Sequence, residues 1–407
     1  MTLRISVSAL FLAAGLSAAP AVSGTPTFSK DVAPILYQRC VECHRAGEPA
    51  PMPLTTYQEA RPWAKAMKQA VLQRVMPPWL ADPHYGAFRN DRTLSEQDVK
   101  TLVAWADGGA PEGDPKQTGA LPRFETGWNI GKPDVLIDIG RDFEVPAQGT
   151  VDYQYFSVPT NFTEDKWVEA AEIRTDKRAV IHHVIVFLQD PNATPEKREI
   201  AGLLVGFAPG EPPLRFDPGT AKLVKAGSKL LFQVHYTPNG KPVTDRSYVG
   251  LRFAREPPKY RAVTANATNR KFVIPAGDPA YRVASTWTAK QDVTLLGFMP
   301  HMHLRGKDFK YTLVFPDGRE EVMLNVPRYD FNWQLDYLLK SPIELPKGTR
   351  IDCVAHFDNS PNNKFNPDPS KDVKWGDQTW EEMMMGWFTY TVPAAQAPSS
   401  TAANGGN

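Results

Sequence analysis

The chain changes character once, and that change limits what it can fold into. Residues 109–122, GAPEGDPKQTGALP, are rich in Gly and Pro and lack hydrophobic periodicity, so they read as a domain boundary. Before them the apolar residues recur at helical spacing. After them helical patterns are rare and strand-like runs are frequent. A 407-residue chain of this kind is neither a helical solenoid nor a single β domain, and two or three domains is the expectation. The 38 Pro and 28 Gly favour loops and short strands, while 42% hydrophobic residues are enough for ordinary cores. Lys+Arg number 46 and Asp+Glu 45, a net charge of +1, which argues against nucleic acid or an anionic membrane as a bulk electrostatic partner.

In the helical part, Ser29 is a candidate cap for a helix through Val32, Ile35 and Leu36. Residues 56–75 carry Ala64, Met67, Ala70, Val71 and Leu72 on or near one helical face. Ser95-Glu96-Gln97-Asp98 resembles a capping box before Val99, Leu102, Val103 and Trp105, and Gly108-Gly109 ends that helix. The first helix runs into Cys40-Val41-Glu42-Cys43-His44. Two thiols at this spacing can add to the two vinyl groups of haem, and the adjacent imidazole can ligate the iron. A redox Cys pair would not need His44, and no second Cys pair exists to complete a zinc site among only 3 Cys. One covalent haem c on Cys40, Cys43 and His44 is therefore expected. Met76, in Val75-Met76-Pro77-Pro78-Trp79, is the expected sixth iron ligand, its sulfur held by the prolines. Met52, Met67 and His84 are its rivals, and Met67 sits among core positions, where Met more often packs than ligates. Three helices around such a motif resemble a small class I cytochrome c.

Haem c fits an exported chain. Residues 2–21 place Arg4 before an apolar stretch from Ile5 to Leu16, followed by small residues and Ala19-Pro20-Ala21. This is the pattern of a cleaved signal peptide, over residues 1–21. The apolar stretch is too short to span a bilayer and no lipidation cysteine follows it, so no stable membrane anchor is expected. The expected localisation is periplasmic or secreted.

Strand-like runs occupy 151–158, 180–188, 229–237, 292–299, 310–315, 349–357 and 386–392. Turn signals such as Pro316-Asp317-Gly318 and Pro238-Asn239-Gly240 separate them. So many residues of this pattern exceed one small sandwich. The expected fold is multidomain: a small all-α cytochrome c domain, then two antiparallel β-sandwich (jelly-roll-like) domains. The boundaries expected are 26–115 for the helical domain, 116–130 for the linker, 131–270 and 271–393 for the sandwiches, and 394–407 for a disordered tail.

The chain has 8 His, and five of them fall at three places in the β-rich body: His182-His183, His235, and His301-Met302-His303. On a strand His301 and His303 point to one face, a ready bidentate metal site. His182 and His183 would point to opposite faces, so both ligate one metal only if the backbone is bulged or turned. Imidazole with thioether help suits copper, and three neutral histidines also suit zinc, so ligand type leaves the metal open. His356 on its strand and His84 in a loop are expected to face packing or solvent, and Cys353 to be a buried strand residue.

The order His-His, His-Tyr-Thr-Pro-Asn-Gly, His-Met-His-Leu-Arg-Gly and Glu-Glu-Met resembles the copper type II, ascorbate-dependent monooxygenases, the peptidylglycine α-hydroxylating and dopamine β-monooxygenase family, over roughly residues 130–392. The resemblance implies two copper ions. His182, His183 and His235 match the ligands of the electron-storing copper. His301, His303 and Met383 match those of the oxygen-binding copper, with Met384 and Met385 one and two positions away. Two departures stand out. The animal enzymes are disulfide-rich, whereas only Cys353 remains here after haem attachment. In the peptide-amidating members an Arg two residues before His-x-His helps hold the substrate carboxylate; here that position is Met299, which argues against peptidyl-glycine as substrate.

The resemblance and the haem motif together imply an exported monooxygenase. It would hydroxylate a C–H bond of a small organic substrate with O2, taking electrons from an exported donor, a small reductant or a redox protein, through the haem to copper. The alternative is an exported electron-transfer or copper-binding protein without oxygenase activity. A differently acting metalloenzyme on the same fold is a third reading, since fold does not fix function.

Overall fold

The computed structural model describes residues 24–46, 48, 50–124, 127–192, 200–208 and 211–394. The expected export segment 1–21 and residues 395–407 of the expected tail lie outside these. The described chain is mostly β-sheet, arranged in several sheets, with short helices ahead of it. None of the described helices is long and apolar enough to cross a membrane.

Among the described residues four α-helices come first: α1 (Ala33–Arg39), α2 (Tyr57–Ala60), α3 (Ala64–Leu72) and α4 (Glu96–Asp107). The helical entry differs from the expected Ser29 cap. A π-helical turn, Phe28–Val32, precedes α1, and the Asp31 carboxylate accepts the Thr27 N–H at 2.8 Å, so the chain turns in two residues earlier and Ser29 is buried. The expected helix over 56–75 is split by a 3-10 turn at Arg61–Trp63, where Pro62 cannot donate. Thr56 and Glu59 form a capping box at its start. Ser95 and Asp98 form the expected box before α4, and Gly108 caps the other end. The helices share a core of Phe28, Val32, Leu36, Leu54, Met67 and Trp105. Met67 is therefore a packing residue.

The largest sheet has nine strands and runs through both expected β units. Its order is Val135–Asp138, Tyr248–Phe253, Lys166–Arg174, Thr220–Val224, Tyr260–Thr268, Met385–Pro393, Val293–His301 and Tyr337–Leu345, with Leu214–Arg215 paired beside Lys166–Arg174. The two halves of this sheet are joined by a short parallel pairing, Tyr260 with Thr220 and Arg261 with Ala221. Tyr260–Thr268 also pairs along its length with Met385–Pro393, so a strand placed before the expected boundary at 270 belongs by hydrogen bonding to the second half.

A four-stranded sheet faces each half. Gln154–Pro159, Lys229–Tyr236, Ile181–Gln189 and Ile200–Phe207 face the first. Its core takes Val168 and Val249 from the large sheet and Val184, Phe232 and Val234 from the small one. Tyr281–Thr288, Arg350–Phe357, Gly306–Val314 and Glu320–Val326 face the second half, with Leu295, Phe298, Phe309, Tyr311 and Cys353 in its core. Alternating burial, as along Arg350–Phe357, lets one face of a strand close on the apolar layer, while Ile181–Gln189 and Lys229–Tyr236 also bury Phe187 and Leu231 on the seam side. A third apolar cluster, Phe187, Leu203, Leu231, Met383, Met385 and Trp387, with Met299 against it, lies at the seam between the halves.

The segments around the helices are docked, not loose. Trp128, at the end of the expected linker, packs edge-on to Tyr248 at 5.7 Å, and Gly250 leaves room for it, since a Cβ there would lie 2.7 Å from the indole. Residues 77–90 leave α3 and cross onto the last strand of the large sheet. Arg89 N–H donates to the Leu338 carbonyl, Lys340 N–H to that of Ala87 and Asp82 N–H to that of Asn325, each at 2.8 Å. Trp79, Phe88 and Tyr337 form an aromatic cluster with centroids 4.9–5.9 Å apart. This strap pairs the open edge of the sheet, the position most exposed to unwanted strand pairing.

Candidate metal centre

His182 and His183 open the strand Ile181–Gln189, and His235 lies opposite on Lys229–Tyr236. The register pairs His183 with His235 and shifts between Ile181 and His183. This irregularity is the bulge that two adjacent ligands require, and it brings His182 round to the face of His183. Ring centroids are 5.4 Å apart for His182–His183, 4.8 Å for His182–His235 and 5.1 Å for His183–His235. The Nδ1 atoms of His182 and His183 are 3.1 Å apart. Two nitrogens bound tetrahedrally at about 2.0–2.1 Å from one metal are separated by about 3.3 Å, so this is a ligand spacing. One ligand atom from each of the three residues lies within 4.8 Å of the others. Nδ1 of His235 is buried without a hydrogen-bond partner.

The electrostatics agree with this geometry. Burial pushes all three imidazoles below their ordinary range, His235 down to about 3, with His182 adding to the effect. The rings are neutral at physiological pH, the form that ligates a metal.

The second group lies where Val293–His301 ends. His301 is the last residue of the strand and His303 lies beyond it, so strand alternation alone does not place both rings as expected. A buried carboxylate does. Glu382 accepts the N–H of His303 at 2.8 Å and that of Arg305 at 2.6 Å, turning the chain so that Met302 enters the core. The two rings stand at 88° with centroids 5.2 Å apart. His301 Nδ1 lies 2.6 Å from Gln334 Oε1, and His303 Nδ1 lies 3.1 Å from the Glu381 carbonyl. Both contacts require N–H at Nδ1, which leaves Nε2 of each ring as the lone-pair nitrogen. Nε2 of His303 is buried and unpartnered. Burial lowers His301 to about 4 and His303 to about 3. It pushes Glu382 up to about 8, against the N–H groups of Arg305 and His303 that favour its charged form.

The methionines divide. Met384 is fully buried in the second core and its sulfur accepts the Ser285 hydroxyl at 3.2 Å, so it is a packing residue. Met383 follows Glu382 directly, and Met385 is the register partner of His301. Both lie in the seam cluster, as does Met299.

The two histidine groups face each other across the seam. His183 lies close enough to His301 and His303 for their charge to oppose its protonation. Phe331 stacks on His182 at 5.0 Å and 12° and reaches His303 at 5.9 Å. Sequence reasoning missed Phe331, Gln334 and Glu382. Only Glu382 had a signal, as the residue before Met383.

The C-x-x-C-H residues form a turn at the end of α1. Cys43 and His44 N–H groups both donate to the Cys40 carbonyl. The two thiols are half-buried and not bonded to each other, and burial pushes Cys40 up to about 12. His44 Nδ1 lies 3.1 Å from the Met52 carbonyl, which fixes Nε2 as the free nitrogen. Met52 also packs partly buried against the helical core. Met76 is half-buried at the head of the strap. His84 is bonded to Asp82 and His356 to Asp308, each at 2.7 Å, and neither joins a metal group.

No known protein family and no curated protein matches the sequence. Among solved structures, the chain is similar to the major capsid protein P2 of bacteriophage PM2, at 8% identity and a TM-score of 0.29, over 65% of this chain and 99% of that one. It is similar to infectious bursal disease virus, Gt strain, at 10% identity and a TM-score of 0.17, over 66% and 74%. It is similar to a Paenibacillus xanthan lyase at 12% identity and a TM-score of 0.19, over 68% and 28%. Scores this low bear on neither fold nor function.

Proposed function

We propose that the chain is an exported, haem c-linked dicopper monooxygenase: a cytochrome c-like helical domain followed by two β-sandwiches, hydroxylating a C–H bond of a small organic molecule with O2. The observation that carries the reading is the meeting of two neutral histidine groups at one buried seam, each with ring nitrogens aimed away from any protein partner. A buried unpartnered imidazole nitrogen is costly unless something else binds it.

His182, His183 and His235 would hold one copper, and His301, His303 and Met383 the other. Bound copper would supply one-electron storage at the first group and oxygen activation at the second. The chain's own part is positional. Gln334 and the Glu381 carbonyl fix the tautomers of His301 and His303, Glu382 sets the turn that aims them, and the seam residues exclude water. Cys40, Cys43, His44 and Met76 would hold one haem c as the electron entry. The His44 contact with Met52 is the orienting bond such a ligand needs.

Oxygen uptake by the copper-loaded chain, followed against candidate substrates with a reduced protein donor, tests this. Uptake matched one-to-one by hydroxylated product is expected. Tightly held zinc in both sites after native expression, with no oxygen uptake, overturns it.

A further inference from the structure

Tyr153 precedes the strand Gln154–Pro159 in the first half, and its sequence marks it as nothing more than a strand residue. It is 6% exposed yet belongs to neither half's apolar core. Its ring lies 5.3 Å from His183 and 4.7 Å from His235, which belong to the first histidine group. The same ring lies 6.3 Å from His303 of the second. Both polar ends of the residue are committed to the other half. The Thr379 hydroxyl donates to the Tyr153 oxygen at 3.1 Å, and the Tyr153 N–H donates to Gln378 Oε1 at 3.2 Å. Thr379 and Gln378 begin the loop that next supplies the Glu381 carbonyl to His303 Nδ1, the Glu382 carboxylate to His303 N–H, and then Met383.

From this we infer that Tyr153 is a positioning residue that couples the two metal groups, so that filling one favours the other. The inference rests on the two-copper reading. A ring packed on two ligands of one group cannot shift without moving those ligands, because buried rings have few alternative packings. The same ring is pinned to the loop that aims the ligands of the other group. A metal that fixes His183 and His235 therefore also narrows the positions open to the 378–383 loop. Two states biased by either site are what coupling between sites requires, and the coupling is reciprocal.

The test uses the full haem-loaded chain and Cu(I), titrated anaerobically against a chromophoric chelator, with X-ray absorption distinguishing the sulfur-bearing site. In the wild type, His235→Ala should weaken Cu(I) at the His301/His303 group by about tenfold, within the usual range for coupled sites. Tyr153→Leu should weaken that group by itself, and adding His235→Ala to it should then have little further effect. Thr379→Val removes only the hydroxyl donor and keeps the packing, so it stands in should Tyr153→Leu fail to fold; it should shrink the coupling while leaving unchanged the affinity of the first group measured with the second empty. If His235→Ala leaves the second group untouched in the wild type, or if the coupling survives Thr379→Val in full, Tyr153 is ordinary packing and the inference is overturned while the two-copper reading stands. A wild-type chain that binds fewer than two Cu(I) overturns that reading, and the inference with it.

Discussion

The guanidinium of Arg178 lies 3.4 Å from the carboxylate of Glu48. Glu48 is four residues past His44, and Arg178 is four residues before His182, so this pair ties the C-x-x-C-H turn to the entry of the first histidine group. Arg178 also sits over the Phe207 ring at 4.8 Å and is near enough to Cys43 to influence its thiol. The helical part therefore meets the β body at the group proposed to store an electron, and the linker need not act as a loose tether.

Arg178→Ala is expected to slow electron passage from prereduced haem to copper several-fold. The pair is partly exposed, so its loss should change stability by no more than about 1 kcal/mol. Stopped-flow oxidation of the haem, followed at several protein concentrations, checks both points. The wild-type rate should not depend on concentration, and raising the salt should mimic part of the mutant's loss. An unchanged rate in the mutant would place the electron route elsewhere.

The haem itself is expected to be bound through two thioethers, to Cys40 and Cys43. Denatured chain should keep its haem absorbance, and acid–acetone should not extract it. Met76→Ala should lower the reduction potential and alter the low-spin spectrum, since a thioether ligand raises the potential. With Met67 in the helical core and His84 bonded to Asp82, an unaltered spectrum would move the sixth ligand to Met52.

All seven strand-like runs read from the sequence fall on strands; Arg350–Phe357 alternates buried and half-buried residues, whereas Lys229–Tyr236 is apolar and buried at consecutive positions. Tyr260–Thr268 was not legible. Its sequence, YRAVTANAT, is only weakly apolar, and its place is set by hydrogen bonds to residues some 125 positions away. The bulge at His182 was legible because two adjacent ligands cannot otherwise share a metal. The bonds that orient the second group were not, since Gln334 lies 33 residues from His301, and the Glu382 carboxylate 79 residues from His303. Tyr153 is further still, with partners 225 and 226 residues on. Sequence spacing reports local geometry; contacts closed by the fold carry no such signal.

The strap over residues 77–90 yields a stability test. Trp79 packs against Tyr337 at 4.9 Å, the rings tilted by 56°, and leads the segment that covers the edge strand Tyr337–Leu345. Trp79→Ala should cost roughly 2 kcal/mol, below the range for a fully buried indole because Trp79 is only half-buried. The strap should then become the first site of cleavage in limited proteolysis, and the chain should associate more readily through the uncovered edge. Cleavage that still begins elsewhere would show that the backbone bonds to Leu338 and Ala87 hold the strap without the ring.

The buried histidines give the metal-free chain a pH dependence whose sign is fixed. Burial holds His301 at about 4 and His235 and His303 at about 3, below the usual 6.5 of an exposed imidazole. Between those values the unfolded chain binds protons that the folded chain refuses, so stability is highest above 6.5 and falls as the pH drops toward 4. At 1.36 kcal/mol per pH unit, His301 alone accounts for about 3 kcal/mol over that window. Glu382 acts in the opposite sense. Its folded value is raised to about 8, so its contribution is complete below 4.5 and is lost as the pH rises through 8. Urea midpoints measured from pH 4.5 to 9 should therefore pass through a maximum near neutrality. His301→Asn should make the acid limb shallower, with His235 and His303 still contributing, and Glu382→Gln should flatten the alkaline limb, each leaving the other in place. Copper should extend the acid limb downward, because a metal-bound imidazole must lose the metal before it takes a proton. An acid limb unchanged by both His301→Asn and copper would mean that these imidazoles are not the neutral, buried pair the seam requires.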